Sequence, residues 1–199
     1  MEKMELYHIH KIGDHDKFWY ENSLILVKEN FKNTMYKRYQ DFSTALPIEG
    51  GGSINLYDFI MMLKYNNQMT PEMIHSIIDY SYRISFNANS FKRETVLENY
   101  RKDNAFTKPS RLHSIYLTDE KGIESWITKI GVEDIELFRV EAEGNIFKTN
   151  EYFIPDETLS YEKAYEQSYY YWNPNFKKAP IDSNEYLVQG KVKVLEKIR

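Results

Sequence analysis

Apolar residues recur at helical spacing after the first quarter of the chain, and this pattern predicts two consecutive helices. The first covers residues 54–67, which read INLYDFIMMLKYNN, with Ser53 as its N-cap. The second begins at Thr70-Pro71-Glu72, because threonine is a favoured cap and proline is favoured at the first helical position. We expect this helix to end near Ser85.

A third helix is predicted over 91–102, where Lys, Arg and Glu are frequent and Asn89-Ser90 provides a cap. Residues 54–102 should therefore form a helical block. The segment Gly50-Gly51-Gly52-Ser53 precedes this block and is typical of a flexible loop. It is not a P-loop, because no Lys-Ser or Lys-Thr pair follows the glycines.

Short apolar segments bounded by turn-forming residues predict strands in the rest of the chain. These strands cover Met4–His10, Leu112–Thr118, Ile135–Ala142, Glu185–Val188 and Lys191–Ile198. We expect Glu143-Gly144-Asn145 to form a turn toward Ile146-Phe147, and Gly190 to separate the last two strands.

Two further helices are predicted, one over 119–130 that Gly131 closes and one over 160–172 that Ser160 opens. The order of elements is a strand, a helical block, and then short strands mixed with helices. This order indicates an α+β fold with a small, largely antiparallel sheet. The length fits a single domain over 1–199, in which residues 54–102 form an insertion or lobe.

Composition narrows the classes of function. The formal net charge of −4 argues against broad electrostatic binding to nucleic acid. The chain has no cysteine, which excludes disulfides, thiolate metal sites and a cysteine nucleophile. The longest apolar runs, Leu24–Val27 and Phe59–Leu63, are too short for a membrane-spanning helix. We expect a cytoplasmic protein that has no membrane partner.

The histidines do not indicate a metal site. They are His8, His10, His15, His75 and His113. His8 and His10 share one face of the first strand, but a metal ion needs further ligands and the sequence has no HExxH motif. The sequence also lacks GxSxG and GxGxxG, so neither a hydrolase nucleophile elbow nor a Rossmann dinucleotide site is expected.

Three short blocks contain the residues best suited to chemistry. They are Leu6-Tyr7-His8, then Ser114-Ile115-Tyr116-Leu117-Thr118-Asp119 with Trp126 on the following helix, and finally Asn184-Glu185-Tyr186-Leu187-Val188. In this order they resemble the signature of the ADP-ribosyltransferase superfamily, in its His-Tyr-Glu branch. Poly(ADP-ribose) polymerases and diphtheria-toxin-like enzymes belong to that branch.

The resemblance implies a split antiparallel β core around a nicotinamide cleft, with NAD as the substrate. In the family, a late strand begins with the catalytic glutamate, and Glu185 occupies that place here. By the same analogy, His8 binds the adenosine ribose and Tyr116 stacks on nicotinamide. Trp126 would close the other face of the nicotinamide ring.

The chemistry of the reaction suits these residue types. Cleavage of the bond between nicotinamide and its ribose produces an oxocarbenium-like sugar, as in glycoside hydrolysis. A carboxylate such as Glu185 stabilises that charge, and a ring such as Tyr116 contributes about 1–3 kcal/mol by stacking. Arg111, just before the Tyr116 strand, is either a partner of the pyrophosphate or a solvated charge on a loop.

The sequence departs from the family pattern in two places. Ile9 and His10 follow His8, where the family commonly has glycine and then serine or threonine. Trp126 stands where the family has a second tyrosine. Each candidate also has an ordinary structural interpretation, namely a charge at a strand start, a strand tyrosine or a core histidine. The order of the three blocks favours the functional interpretation.

The expected function is therefore mono-ADP-ribosyl transfer from NAD to a protein or nucleic-acid acceptor. Two alternatives stay open: a module that binds NAD or ADP-ribose without turnover, and a bacterial or phage interaction protein without a nucleotide site. By analogy, an enzyme of this kind would suit a toxin or phage defence, with an antitoxin or inhibitor as a partner. A basic patch keeps nucleic acid open as an acceptor. It comprises Lys92, Arg93, Arg101, Lys102, Lys108 and Arg111.

Overall fold

The computed structural model describes residues 2–13, 16–40, 45–47, 52–66, 70–131 and 133–199. It is a mixed α and β protein with an antiparallel sheet. Its strands are β1 Glu2–Lys11, β2 Leu24–Val27, β3 Ala45–Pro47, β4 Ser53–Asn55, β5 Ile115–Leu117, β6 Ile135–Asn150 and β7 Asn184–Lys197. Its α-helices are α1 Thr34–Tyr39, α2 Leu56–Asn66, α3 Pro71–Asn104, α4 Ile123–Ile130 and α5 Tyr161–Trp172.

The chain divides into two compact units. The first comprises Met1–Asn33 and Arg93–Arg199, and the second comprises Thr34–Lys92. The helical block predicted over 54–102 corresponds to the end of β4, all of α2 and most of α3. The expectation of a single domain with an inserted lobe stays a prediction.

The first unit is built on an antiparallel sheet with the strand order β1-β6-β7-β2. β6 pairs along one edge of β7, so β5 and β2 share the other edge of that strand. A bridge between Tyr7 and Thr118, with N···O distances of 2.9 Å in both directions, joins β1 to the end of β5. The sheet therefore closes on itself through β1, β6, β7 and β5.

The two faces of this closed sheet carry separate apolar cores, because side chains alternate along each strand. The inner face buries residues from all four strands, among them Leu6, Leu117, Val140 and Val188. On the outer face, Leu187 packs with residues of α3 and α5. The outer face also carries a second core, in which residues of β1 and β6 pack against α4.

In the second unit, β3 and β4 form a two-stranded antiparallel sheet. The predicted N-cap of the helix that follows was wrong. Ser53 begins β4, and Asn55 caps α2 instead, with its Oδ1 accepting a hydrogen bond from Tyr57 N at 2.8 Å. The predicted loop before Ser53 lies outside the described residues at Gly50 and Gly51.

α3 is one continuous helix, so the prediction of two helices divided at Asn89-Ser90 was wrong. Its beginning was predicted correctly, because Thr70 Oγ1 accepts a hydrogen bond from Met73 N at 3.3 Å. Ser90 is fully buried in the middle of this helix, and Asn87 is nearly so. Of the two residues that suggested a cap, Asn89 is therefore exposed and Ser90 lies on a buried face of a longer helix.

β6 and β7 are long, uninterrupted strands, so the predicted turn at Glu143-Gly144-Asn145 and the predicted break at Gly190 were wrong. The two glycines are paired across the strands, with φ values of 141° and 148°. A Cβ on Gly144 would lie 2.4 Å from Gln189 O, and one on Gly190 would lie 2.1 Å from Glu143 O. Glycine is required at both positions because the two backbones approach too closely for a side chain.

α4 and α5 lie within the helices predicted over 119–130 and 160–172, whereas α1 was not predicted. Gly131 closes α4 with a φ of 112°, and Ser160 Oγ accepts a hydrogen bond from Lys163 N at 3.4 Å at the start of α5. β5 is shorter than the predicted strand, because Arg111–His113 forms a 3-10 turn before it. In the part of the chain that the structure describes, no helix is long and apolar enough to cross a membrane.

We expect Gly144→Ala and Gly190→Ala each to lower the free energy of unfolding by more than about 1 kcal/mol, since each added Cβ meets a backbone oxygen. Gly13→Ala is the matched control, because a Cβ there meets nothing within 4 Å. Urea denaturation of the three variants measures the effect. If Gly190→Ala is as stable as the wild type, the close approach of β6 and β7 is contradicted.

Candidate functional site

A buried arginine lies at the centre of the candidate site. Arg111 Nε and Nη2 donate to the two carboxylate oxygens of Glu94 at 2.7 and 3.2 Å. Arg111 Nη1 donates to Glu185 Oε2 at 2.5 Å. Tyr171 Oη accepts a hydrogen bond from Arg111 Nη1 and donates one to Glu185 Oε2. Arg111 is 3% exposed and Glu185 is 1% exposed, so one guanidinium joins two carboxylates and a phenol inside the core.

Separate elements of the first unit supply these four side chains. Glu94 comes from α3, Arg111 from the 3-10 turn, Tyr171 from α5 and Glu185 from the start of β7. Strand pairing fixes where the network lies along the sheet. Glu185 of β7 pairs with Thr149 of β6, and Thr149 Oγ1 donates a hydrogen bond to Tyr171 O at 2.6 Å, which holds α5 at the same position.

The turn that carries Arg111 is held by a second acidic residue of α3. Ser110 Oγ accepts from Leu112 N at 3.2 Å and donates to Glu98 Oε2 at 2.9 Å. Arg101 donates to both carboxylate oxygens of Glu98 at 2.8 and 3.0 Å. The residues that precede and begin the turn are therefore anchored to α3 by hydrogen bonds and ion pairs.

Tyr116 contacts the same arginine. Its hydroxyl donates to Arg111 O at 2.9 Å, and its ring centroid lies 4.9 Å from Arg111 Cζ. The ring centroid of Tyr171 is also 4.9 Å from that carbon, so aromatic rings of two tyrosines lie near the guanidinium. Tyr116 of β5 pairs with Leu187 of β7, and Leu187 is two residues from Glu185. Side chains alternate along a strand, so Tyr116 and Glu185 lie on the same outer face of the sheet.

The pKa values of the two carboxyl groups in the network shift in opposite directions. Burial raises the pKa of Glu185, with the charges of Glu151 and Glu94 adding to the rise. Arg111 and Tyr171 favour the ionised form of Glu185 but do not cancel this effect. Burial would also raise the pKa of Glu94, but Arg111 and, to a smaller extent, Arg93 outweigh it and the pKa is lowered. Glu94 is thus the partner of Arg111 whose ionised form is favoured, and Glu185 is the carboxylate that takes up a proton more readily.

The structure places His8 away from this network, on the inner face of the sheet. Its ring stacks on Trp19 with centroids 3.7 Å apart and planes 7° apart. Burial, together with the neighbouring His10, lowers the pKa of His8 to about 3. The neutral imidazole places Nδ1 3.2 Å from Tyr116 O, the backbone oxygen of the residue predicted to hold nicotinamide. His15 lies outside the described residues.

Trp126 lies on the outer face, in the core between α4 and the sheet, where it packs with Ile9 and Leu137. Tyr116 touches both this core and the core that contains Tyr171, so it lies between Trp126 and the arginine network. Trp126 Nε1 is buried and has no hydrogen-bond partner among the described residues. An unpaired buried donor costs about 1–3 kcal/mol, so an acceptor on a bound molecule would gain from this position.

The sequence analysis grouped three candidates that the structure brings together, namely Arg111, Tyr116 and Glu185. It missed Glu94 and Tyr171. Spacing offered one signal: Glu94 and Glu98 are four residues apart and share a helix face next to the apolar pair Val96-Leu97.

The fold and the site define a class of protein: a mixed α and β chain whose antiparallel sheet carries a buried network of two glutamates, an arginine and a tyrosine. The chain belongs to the family described as Protein of unknown function (DUF2441), whose model matches residues 6–199. No curated protein matches the chain. Among the residues described, no group of three or more histidines, aspartates or glutamates is arranged to hold a metal ion.

Tyr171→Phe should lower the free energy of unfolding by about 1–3 kcal/mol, because Arg111 and Glu185 each lose a buried hydrogen-bond partner. Tyr165→Phe in the same helix is the matched control. Its hydroxyl donates to Asp103 at 2.7 Å in an exposed position, so we expect a loss below about 0.5 kcal/mol. Chemical denaturation measures the free energy of unfolding of the two variants. Equal losses of stability would contradict the conclusion that the buried hydrogen bonds of Tyr171 stabilise the protein more than the exposed one of Tyr165.

His8 should make stability depend on pH. Its folded pKa of about 3 lies below the ordinary value of 6.5, so the unfolded chain binds the proton more readily and stability falls as the pH drops from 6.5 toward 3. The loss down to about pH 5 is at most about 2 kcal/mol. His8→Phe keeps a ring against Trp19 and should weaken this dependence in unfolding curves recorded near pH 7 and pH 5. The same dependence in the variant would contradict a partly buried, neutral His8.

Proposed function

We propose that this chain is a mono-ADP-ribosyltransferase that transfers ADP-ribose from NAD to a macromolecular acceptor and releases nicotinamide. The observation that carries the proposal is the meeting of Tyr116 and Glu185, which lie on paired strands, share one face of the sheet and contact the same Arg111. These are the tyrosine and the glutamate of the sequence signature. A split β core like that of the superfamily is part of the proposal, and the closure of the sheet through β1 and β5 supports it.

In the proposed reaction, the bond between C1′ of the ribose and the nicotinamide nitrogen breaks. The electron pair stays on that nitrogen, so the positively charged ring leaves as neutral nicotinamide. The Glu185 carboxylate stabilises the oxocarbenium-like sugar and orients it through the 2′-hydroxyl. A nucleophile of the acceptor then bonds to C1′ and loses its proton to Glu185 or to solvent.

Arg111 has a different role in this proposal from the predicted pairing with pyrophosphate. Its guanidinium is buried and is itself a planar cation beside the ring of Tyr116 and the carboxylate of Glu185. The nicotinamide ring of NAD is also a planar cation. Entry of NAD therefore requires the guanidinium to leave Glu185, and the two hydrogen bonds to Glu94 retain it when it does.

The remaining candidates lie next to Tyr116 on opposite faces of the sheet. Trp126 shares a core with Tyr116 and presents an unpaired buried N–H, which suits the amide oxygen of nicotinamide. His8 lies on the other face, so we assign it to positioning the Tyr116 strand through the backbone oxygen of Tyr116. The adenosine ribose would then be bound by other groups.

A second candidate function is favoured by the burial of Glu185, which is 1% exposed and has two buried partners. In this candidate the chain binds NAD or ADP-ribose without turnover, and Glu185 is part of the core. Nicotinamide release in the presence of a cell lysate separates the two functions, because the binding module releases none.

Incubation with labelled NAD and lysate should transfer label to an acceptor, and Glu185→Gln should lower the rate by about 100-fold or more, since the amide cannot stabilise the sugar cation. Glu196→Gln is the matched control, because Glu196 lies on the same strand and pairs with Arg139 at the surface. Folding of each variant is checked by circular dichroism. Labelling by Glu185→Gln at the wild-type rate would overturn the catalytic assignment.

A further inference from the structure

A concave site lies beside the start of β7, within the first unit. It is a pocket of about 550 Å³ between the C-terminal part of β6, the end of α5 and the segment that leads to β7. Three lysines line it, and none of its lining residues is an aspartate or a glutamate. These lysines are Lys108, Lys148 and Lys177. The pocket is therefore cationic, although the chain as a whole has a net charge of −4.

Two of the three lysines lack carboxylate partners among the residues that the structure describes. Lys108 Nζ donates to Trp172 O and lies 4.2 Å from the ring centroid of Phe147. Lys177 Nζ lies 5.2 Å from the ring centroid of Tyr170. The charge of Lys148 is partly compensated by Asp119, with Lys148 Nζ 3.6 Å from Asp119 Oδ2. Burial also lowers the pKa of Lys108, as expected for a partly buried ammonium without a counterion.

Aromatic rings accompany these charges. Phe147 and Phe153 line the pocket and are largely buried, whereas Phe176 lines it with 71% of its surface exposed. An exposed ring of this kind provides a stacking surface for a nucleobase, which contributes about 1–3 kcal/mol. Uncompensated ammonium groups beside an exposed aromatic ring match a ligand that combines a phosphate with a planar base.

We propose that this pocket binds a nucleoside phosphate, with its phosphate against Lys108 and Lys177 and its base stacked on Phe176. A free mononucleotide and the phosphorylated end of a nucleic-acid strand carry the same chemistry, and either fits a pocket of about 550 Å³. The inference does not rest on the proposed transfer reaction, because a nucleoside monophosphate has no nicotinamide to release.

Calorimetric titration of the full chain with AMP tests the proposal, with adenosine and inorganic phosphate as partial ligands. We expect AMP to bind more tightly than either. Lys177→Gln and Lys108→Gln should each weaken AMP binding by about tenfold, and Phe176→Ala should weaken AMP but not inorganic phosphate. Lys163→Gln, an exposed lysine of α5 outside the pocket, is the matched control.

A short 5′-phosphorylated oligonucleotide distinguishes the two sources of the ligand. Tighter binding than AMP indicates a strand end, and weaker binding indicates a free nucleotide. The proposal is overturned if neither compound binds, or if Lys177→Gln binds AMP as the wild type does, since that exposed side chain can be replaced without disturbing the fold. Equal affinity for AMP and inorganic phosphate would overturn the base contact. Loss of nicotinamide release alone would leave this inference standing.

Discussion

The pairing of Arg111 with Glu94 and Glu185 is the interaction on which the rest of the first unit depends. A guanidinium as buried as this one is tolerated because carboxylates and hydrogen bonds compensate it, and removal of one buried partner typically costs about 3–5 kcal/mol. The partners come from α3 and β7, and Tyr171 adds α5. The network therefore connects α3 and α5 to the start of β7, close to the position where Tyr116 of β5 pairs with β7.

The same network explains how a buried carboxylate could serve a cationic substrate. Arg111 and Arg93 both contact Glu94, so Glu185 is the less compensated carboxylate, and burial raises its pKa. A planar cation beside Tyr116 would favour the ionised form of Glu185 in a medium of low dielectric constant. In the proposed function the nicotinamide ring supplies this cation. The pocket of Lys108 and Lys177 has the opposite charge, so the two sites suit ligand groups of opposite sign.

Local signals in the sequence predicted the parts of the fold that depend on neighbouring residues. Caps at Thr70 and Ser160 and the closure at Gly131 were correct, because each acts within one turn of helix. Gly144 and Gly190 suggested turns, but their reason is a contact between strands that are distant in sequence. For the same reason, only a family resemblance implied that Tyr116 and Glu185 meet. The spacing of Glu94 and Glu98 was the one local signal for their partners, and Tyr171 had none.

A calorimetric comparison of NAD with NADH tests the central claim most directly, because the reduced nicotinamide ring is neutral while the rest of the molecule is the same. If the carboxylate of Glu185 and the ring of Tyr116 recognise a planar cation, the wild-type protein should bind NAD with measurable heat and NADH about tenfold or more weakly. Absence of heat with NAD, or equal affinity for the two compounds, would contradict the account.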